Sequence, residues 1–175
     1  MNGPLAQLDA LLAIAEIAAT FAGFAALVTL FGRRRVEGSG AHDLLRLRLV
    51  ITTSVVVVVT ALIPVALVGY GLSDGLTWRL AAGVYLALDY LGIVSLVRSF
   101  RPVRGLFPPD RLAVAVASAL EVAVQGALLL ILLGMFQERQ SGLYISALVA
   151  TLAQAAFVFL RLVESTFGNI VGRRE

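Results

Sequence analysis

Five long apolar runs dominate this sequence of 175 residues. A helix rises about 1.5 Å per residue, so a bilayer core of about 30 Å requires roughly 20 apolar residues in a row. The runs are continuous, whereas the strands of a membrane barrel alternate in polarity over about ten residues. The sequence therefore predicts an all-α membrane bundle in a single domain, residues 1–175, with five transmembrane helices at about 10–31, 49–68, 80–97, 112–136 and 143–160.

The composition agrees with a protein of the bilayer and argues against several kinds of site. Hydrophobic residues make up 59% of the chain and charged residues 14%, against about half and about a quarter in soluble domains. The chain has no cysteine and a single histidine, so we expect no disulfide, no metal site and no cofactor. The sequence also lacks the signatures of hydrolases, zinc proteases and nucleotide-binding loops, so we do not expect an enzyme.

The basic residues, all of them arginine, predict the orientation of the chain. Cytoplasmic loops of membrane proteins carry an excess of basic residues. Two arginines fall on one side of the predicted bundle, Arg79 and Arg139, and twelve fall on the other: Arg33, Arg34, Arg35, Arg46, Arg48, Arg98, Arg101, Arg104, Arg111, Arg161, Arg173 and Arg174. We therefore expect an outside N-terminus, a cytoplasmic C-terminus and a multi-pass protein of the plasma membrane, of the bacterial inner-membrane type. This charge favours a membrane face and not nucleic acid.

Two segments of the sequence place an acid at the same distance from an arginine. "RLAAGVYLALD" (79–89) and "RLAVAVASALE" (111–121) are identical at six of eleven positions. Ten residues of helix span about 15 Å, half of a bilayer core. Because the third and fourth helices run in opposite directions, Asp89 and Glu121 are both expected near the midplane. The similarity is either a faint inverted repeat of the kind found at transporter sites or a chance match in apolar sequence.

Polar residues also form stripes along three of the predicted helices. Positions three, four or seven apart share a helix face, and such stripes turn away from lipid. The stripes consist of Asp9, Glu16, Thr20 and Gly23 on the first helix, Ser118, Glu121 and Gln125 on the fourth, and Tyr144, Thr151 and Gln154 on the fifth.

The three acids within the spans, Glu16, Asp89 and Glu121, have no basic residue at their own depth. Such a carboxylate is costly unless it is protonated, hydrated or bound to a cation. One interpretation is a small oligomeric membrane channel or carrier that passes protons or small cations along a pathway lined by Glu16, Asp89, Glu121, Gln125 and Gln154. The other is a non-transporting membrane module, such as an accessory subunit, assembly factor or membrane effector, in which protonated acids hydrogen-bond to nearby glutamines or tyrosines and join the helices.

Small residues four apart on the first helix, Ala15, Ala19 and Gly23, allow another helix to approach closely. That helix belongs either to the same chain or to a second copy. We expect a homo-oligomer, because five short spans do not easily surround a water-filled path, whereas several copies can share one.

A basic cluster precedes the second predicted helix. We expect it to contact anionic lipid or a phosphate-bearing ligand at the cytoplasmic face. Its members are Arg33, Arg34, Arg35, His42, Arg46 and Arg48.

Several local signals predict the ends of the helices. "VGYG" at 68–71 resembles the core of the potassium-channel selectivity filter over four residues. Leu67 and Leu72 depart from that pattern, so we interpret the segment as the outer end of a helix. Pro64 is expected to kink the same helix, and Asp110 to cap the fourth. Three aromatic residues fall at the predicted outer boundary and indicate an interfacial belt: Tyr70, Trp78 and Tyr144.

Overall fold

The computed structural model describes residues 4–32, 40–100 and 111–171. Within these ranges all regular structure is helical, with no strand, as the sequence predicts. All five long helices are long and apolar enough to cross a membrane. They are α1 (Pro4–Gly32), α2 (Gly40–Gly69), α3 (Asp74–Phe100), α4 (Arg111–Leu132) and α5 (Gln140–Val171), with one turn of 3₁₀ helix, Gln137–Arg139, before α5.

The end of α4 lies four residues before the predicted end of the fourth apolar run. Gly134 adopts a left-handed conformation with φ of 72°. Its N–H donates to the carbonyl of Ile131 at 2.9 Å, and the N–H of Met135 donates to the carbonyl of Leu130 at 3.0 Å. This pair of bonds closes the carboxyl end of a helix. The apolar residues that follow therefore belong to the connection and not to α4.

The segment "VGYG" forms the end of α2. The N–H of Tyr70 donates to the carbonyl of Leu67 at 3.1 Å, and the N–H of Gly71 donates to that of Val68 at 3.0 Å. Gly71 has a φ of 70°, which glycine adopts readily. The helix-end interpretation is confirmed. The predicted cap at Asp110 lies outside the described residues.

Helices α2, α3, α4 and α5 form a ring in which each helix packs against the next, and α5 closes onto α2. Helix α1 lies outside the ring, against α2 and α5. Arg48 and Ser99 mark one end of the ring, here called the Arg48 end, and Trp78 and Tyr144 lie toward the other, the Trp78 end. This arrangement leaves a central space that side chains of the four ring helices line.

Large apolar side chains cover much of the outside of the bundle. Leu91 is 62% exposed, Val122 71% and Leu133 75%. Monomeric soluble proteins rarely expose apolar surface on this scale. Together with five helices of spanning length, the surface suggests a multi-pass membrane protein.

Candidate functional site

Asp89 of α3 and Glu121 of α4 meet inside the ring. The Asp89 carboxyl group interacts with the Glu121 carboxyl group and with the Gln125 amide. The two acids come from antiparallel neighbouring helices, and each lies ten residues after an arginine in the sequence. The structure therefore brings together the two acids that the sequence places at one depth.

Two glutamines donate hydrogen bonds to Glu121. The Gln125 Nε2 group donates to Glu121 Oε1 at 2.9 Å, one turn away on the same helix. The Gln154 Nε2 group, on α5, donates to Glu121 Oε2 at 3.4 Å and to the carbonyl of Ala117 at 3.0 Å. Both oxygens of Glu121 therefore have a donor, and the stripes of α4 and α5 face each other.

Asp89 differs from Glu121 in its hydrogen bonding. Its Oδ2 atom is buried and has no hydrogen-bond partner among the described residues. A buried carboxylate oxygen without a donor is unfavourable in an apolar environment. Two facing carboxyl groups are stable when they share a proton or hold a cation between them. The free oxygen of Asp89 is the point at which such a proton or cation would bind.

A cavity of about 280 Å³ extends from the two acids toward the Arg48 end. Side chains from all four ring helices line it. Its polar lining consists of Asp89, Ser118, Glu121, Thr151 and Gln154 near the acids, Thr52 and Thr53 on α2, and Arg48, Ser95 and Ser99 toward the other end. The Arg48 Nη1 group donates to the Ser99 hydroxyl at 3.3 Å.

On the Trp78 side of the acids the ring is filled by aromatic side chains. Tyr85 and Tyr144, here called the tyrosine layer, are both fully buried, and their ring centroids are 5.8 Å apart. The Tyr85 hydroxyl lies 2.6 Å from the hydroxyl of Thr151, which also lines the cavity. Trp78 packs on Tyr144 with a centroid separation of 5.6 Å. The space inside the ring therefore extends to the Arg48 end and is closed toward the Trp78 end.

Tyr144 does not lie in an interfacial belt. It is fully buried, and its hydroxyl donates to the main-chain carbonyl of Thr60 at 2.7 Å. Pro64, four residues later within α2, has no N–H to donate to that carbonyl. Tyr70 is 82% exposed at the end of α2, in agreement with its predicted position.

Glu16 is not part of the carboxyl cluster. Its side chain is exposed on α1, on the same face as Thr20 and Gly23, and α1 packs against α2 and α5. The Thr20 hydroxyl donates to the main-chain carbonyl of Glu16 at 2.8 Å, so it does not satisfy the carboxyl group. Of the five predicted pathway residues, the structure thus brings together four and places Glu16 on the outside.

The basic cluster is described only in part. Arg33, Arg34 and Arg35 lie outside the described residues, and His42 and Arg46 lie in the first turns of α2. Arg48, Arg98, Ser95 and Ser99 line an open cleft of about 470 Å³ at the Arg48 end. Two arginines and two hydroxyls in one cleft match the chemistry of an anionic head group.

Neither the tyrosine layer nor the cavity was predicted from the sequence. Tyr85 lies one turn before Asp89, which is a signal that it faces the same space. The cavity has no such signal, because it depends on which helices become neighbours.

Comparisons of this chain with protein-family models, with curated proteins and with solved structures found no match.

Proposed function

We propose that this protein is a small membrane carrier or channel that passes protons or small cations past Asp89 and Glu121. The observation that carries the proposal is the buried, unpartnered Oδ2 of Asp89 beside a second carboxyl group, at the inner limit of a cavity. Acids within a membrane span commonly mark ion or proton pathways. Gln125 and Gln154 orient Glu121 toward that site.

The orientation of the pathway follows from the arginines. The Arg48 end carries the basic residues, and the positive-inside rule assigns it to the cytoplasm of a bacterial inner membrane. The N-terminus is then outside, and anionic lipids of the cytoplasmic leaflet contact Arg48 and Arg98. The cavity extends toward the cytoplasmic side in this orientation.

The tyrosine layer favours a carrier or a gated channel over an open pore. Two buried aromatic rings and the Tyr85–Thr151 hydrogen bond separate the acids from the Trp78 end. Transport then requires an alternative packing of this layer, which opens the outer half of the path while the inner half closes.

The exposed position of Glu16 supports a homo-oligomer. Glu16 lies in the middle of the span Gln7–Val28, and a carboxyl group that faces lipid at this depth is costly. In a two-fold symmetric contact between two copies of α1, the same face meets itself. Gly23 allows close approach, and the two Glu16 side chains can then share a proton.

A second function retains support from the same hydrogen bonds. Both oxygens of Glu121 are satisfied by glutamines without water, as expected for protonated acids that join helices in a non-transporting module. The free oxygen of Asp89 is the observation that favours transport over this alternative.

The test is proton and cation flux through proteoliposomes that contain the purified protein, read with a pH dye and a cation dye. The double variant Asp89→Asn, Glu121→Gln keeps the side-chain shapes and is expected to abolish the flux. Glu138→Gln, at an exposed acid of the 3₁₀ turn, is the matched control and should conduct like the parent. A double variant that conducts as well as the parent would show that the mechanism is wrong.

A further inference from the structure

The dimensions of the cavity exceed what a proton or a metal ion requires. Its volume of about 280 Å³ is several times the roughly 30 Å³ that one molecule of liquid water occupies. It lies just below the range of about 300–1,000 Å³ that is typical of pockets for organic ligands. A pathway for a bare ion needs only a narrow file of polar groups.

The walls of the cavity are mainly apolar between its two ends, where Thr52 and Thr53 are the polar exceptions on α2. Leu88, Ile93 and Leu96 of α3, Val56 of α2 and Val158 of α5 line it. Such walls offer few polar groups to the hydration shell of an inorganic ion. They do stabilise the hydrocarbon part of an organic molecule, because its apolar surface is removed from water.

The acid end of the cavity selects the polar group of that molecule. Glu121 already receives two amide donors, whereas Asp89 Oδ2 receives none. An ammonium group has N–H donors and a positive charge, so it satisfies this oxygen and neutralises the pair of acids. A carboxylate or phosphate at the same place would be repelled.

From these observations we propose that the cavity binds an organic ammonium compound, with its nitrogen on Asp89 and Glu121 and an unbranched apolar body directed toward Arg48. The inference takes its site from the proposed function and adds a substrate class to it. From Asp89 to Ser99 is ten residues of α3, or about 15 Å, so the cavity suits an elongated body. A neutral amine that enters past Arg48 can take the proton shared by the two acids, which converts the amine to the ammonium form and the acids to their anions.

The experiment is isothermal titration calorimetry on the full chain in nanodiscs of zwitterionic lipid, with empty nanodiscs subtracted. The probes are n-octylammonium, octan-1-ol and methylammonium. Octan-1-ol has the same body without the charge, and methylammonium has the charge without the body. We expect n-octylammonium to bind at least tenfold more tightly than either, and at least tenfold more weakly to Asp89→Asn than to the parent and to Glu138→Gln.

Equal binding of n-octylammonium and octan-1-ol by the parent protein would overturn the proposal, and this comparison needs no variant. Equal binding of n-octylammonium by the parent and by Asp89→Asn would also overturn the proposal, provided that both proteins melt at the same temperature. If the melting temperatures differ, Glu121→Gln is used in place of Asp89→Asn. Proton flux that depends on Asp89, without selective binding of n-octylammonium, would remove the inference and leave the proposed function. Selective binding of n-octylammonium without proton flux would remove the proposed function and leave the inference about the cavity.

Discussion

The hydroxyl of Tyr144 donates a 2.7 Å hydrogen bond to the carbonyl of Thr60, the group that Pro64 leaves without its helical donor. Helices α5 and α2 are thus joined at the point where α2 lacks one main-chain bond. In an apolar medium a free carbonyl is costly, and neighbouring helices commonly supply the missing donor. This contact also holds the ring of Tyr144 in the tyrosine layer.

The first prediction concerns this bond. Tyr144→Phe removes the donor and is expected to lower the free energy of unfolding by about 1–3 kcal/mol. In a Pro64→Ala background the alanine N–H satisfies Thr60, so the same change should cost less than half as much. A double-mutant cycle measured by denaturant titration in micelles gives the coupling. Tyr70→Phe, at an exposed tyrosine, is the control. Additive losses of stability in the cycle would contradict the assigned bond between the Tyr144 hydroxyl and the Thr60 carbonyl.

The second prediction tests whether the tyrosine layer closes the pathway. Tyr85→Ala removes a buried ring between the acids and the Trp78 end and is expected to raise proton leak through proteoliposomes several-fold. Tyr85→Phe keeps the ring and loses only the bond to Thr151, so its flux should stay close to that of the parent. If the alanine variant leaks no more than the phenylalanine variant, the barrier lies elsewhere.

The third prediction concerns the end of α4. Gly134 has a φ of 72°, and a Cβ at this position would collide with the guanidinium of Arg79. Gly134→Ala is therefore expected to lower stability by about 1–2 kcal/mol, in thermal or denaturant unfolding. Gly142→Ala is the control, because a Cβ added at this helical glycine meets nothing within 4 Å beyond the adjacent backbone of its own helix. There the helix propensity of alanine should give a neutral or stabilising change.

The fourth prediction tests the proposed contact between copies of α1. A Cβ added at Gly23 meets nothing within 4 Å, so a single chain tolerates a larger side chain there. Gly23→Leu should nevertheless shift the mass measured by native mass spectrometry from oligomer to monomer, because it keeps two α1 helices apart. Gly142→Leu should leave the mass unchanged. An oligomer that is insensitive to Gly23→Leu would place the contact on another face.

The sequence predicted the number of helices and the meeting of Asp89 and Glu121 because both depend on distances along a helix. Ten residues from a boundary give a depth, whichever neighbours the helix acquires. The side on which α1 packs depends on contacts between distant segments, so the sequence did not place Glu16. A polar stripe turns away from lipid, and this rule does not distinguish burial within one chain from burial against a second copy.

Tyr144 shows the same limit at the level of one residue. Its position near a predicted boundary indicated the membrane interface. Its place in a polar stripe indicated the interior of the bundle. Only the position of Thr60 in the fold decides between them, because that carbonyl is the partner of the hydroxyl. The signal in the sequence was Pro64, which implies an orphaned carbonyl but not the residue that satisfies it.

The cavity would have an electrical consequence for the proposed transport. Water inside it would put Asp89 close to the potential of the Arg48 side, so most of the transmembrane voltage would fall across the tyrosine layer. A charge that crosses this thin barrier gains or loses about 2.3 kcal/mol for each 100 mV. Voltage would then act on the step in which a charge crosses the layer formed by Tyr85 and Tyr144, and not on its movement within the cavity.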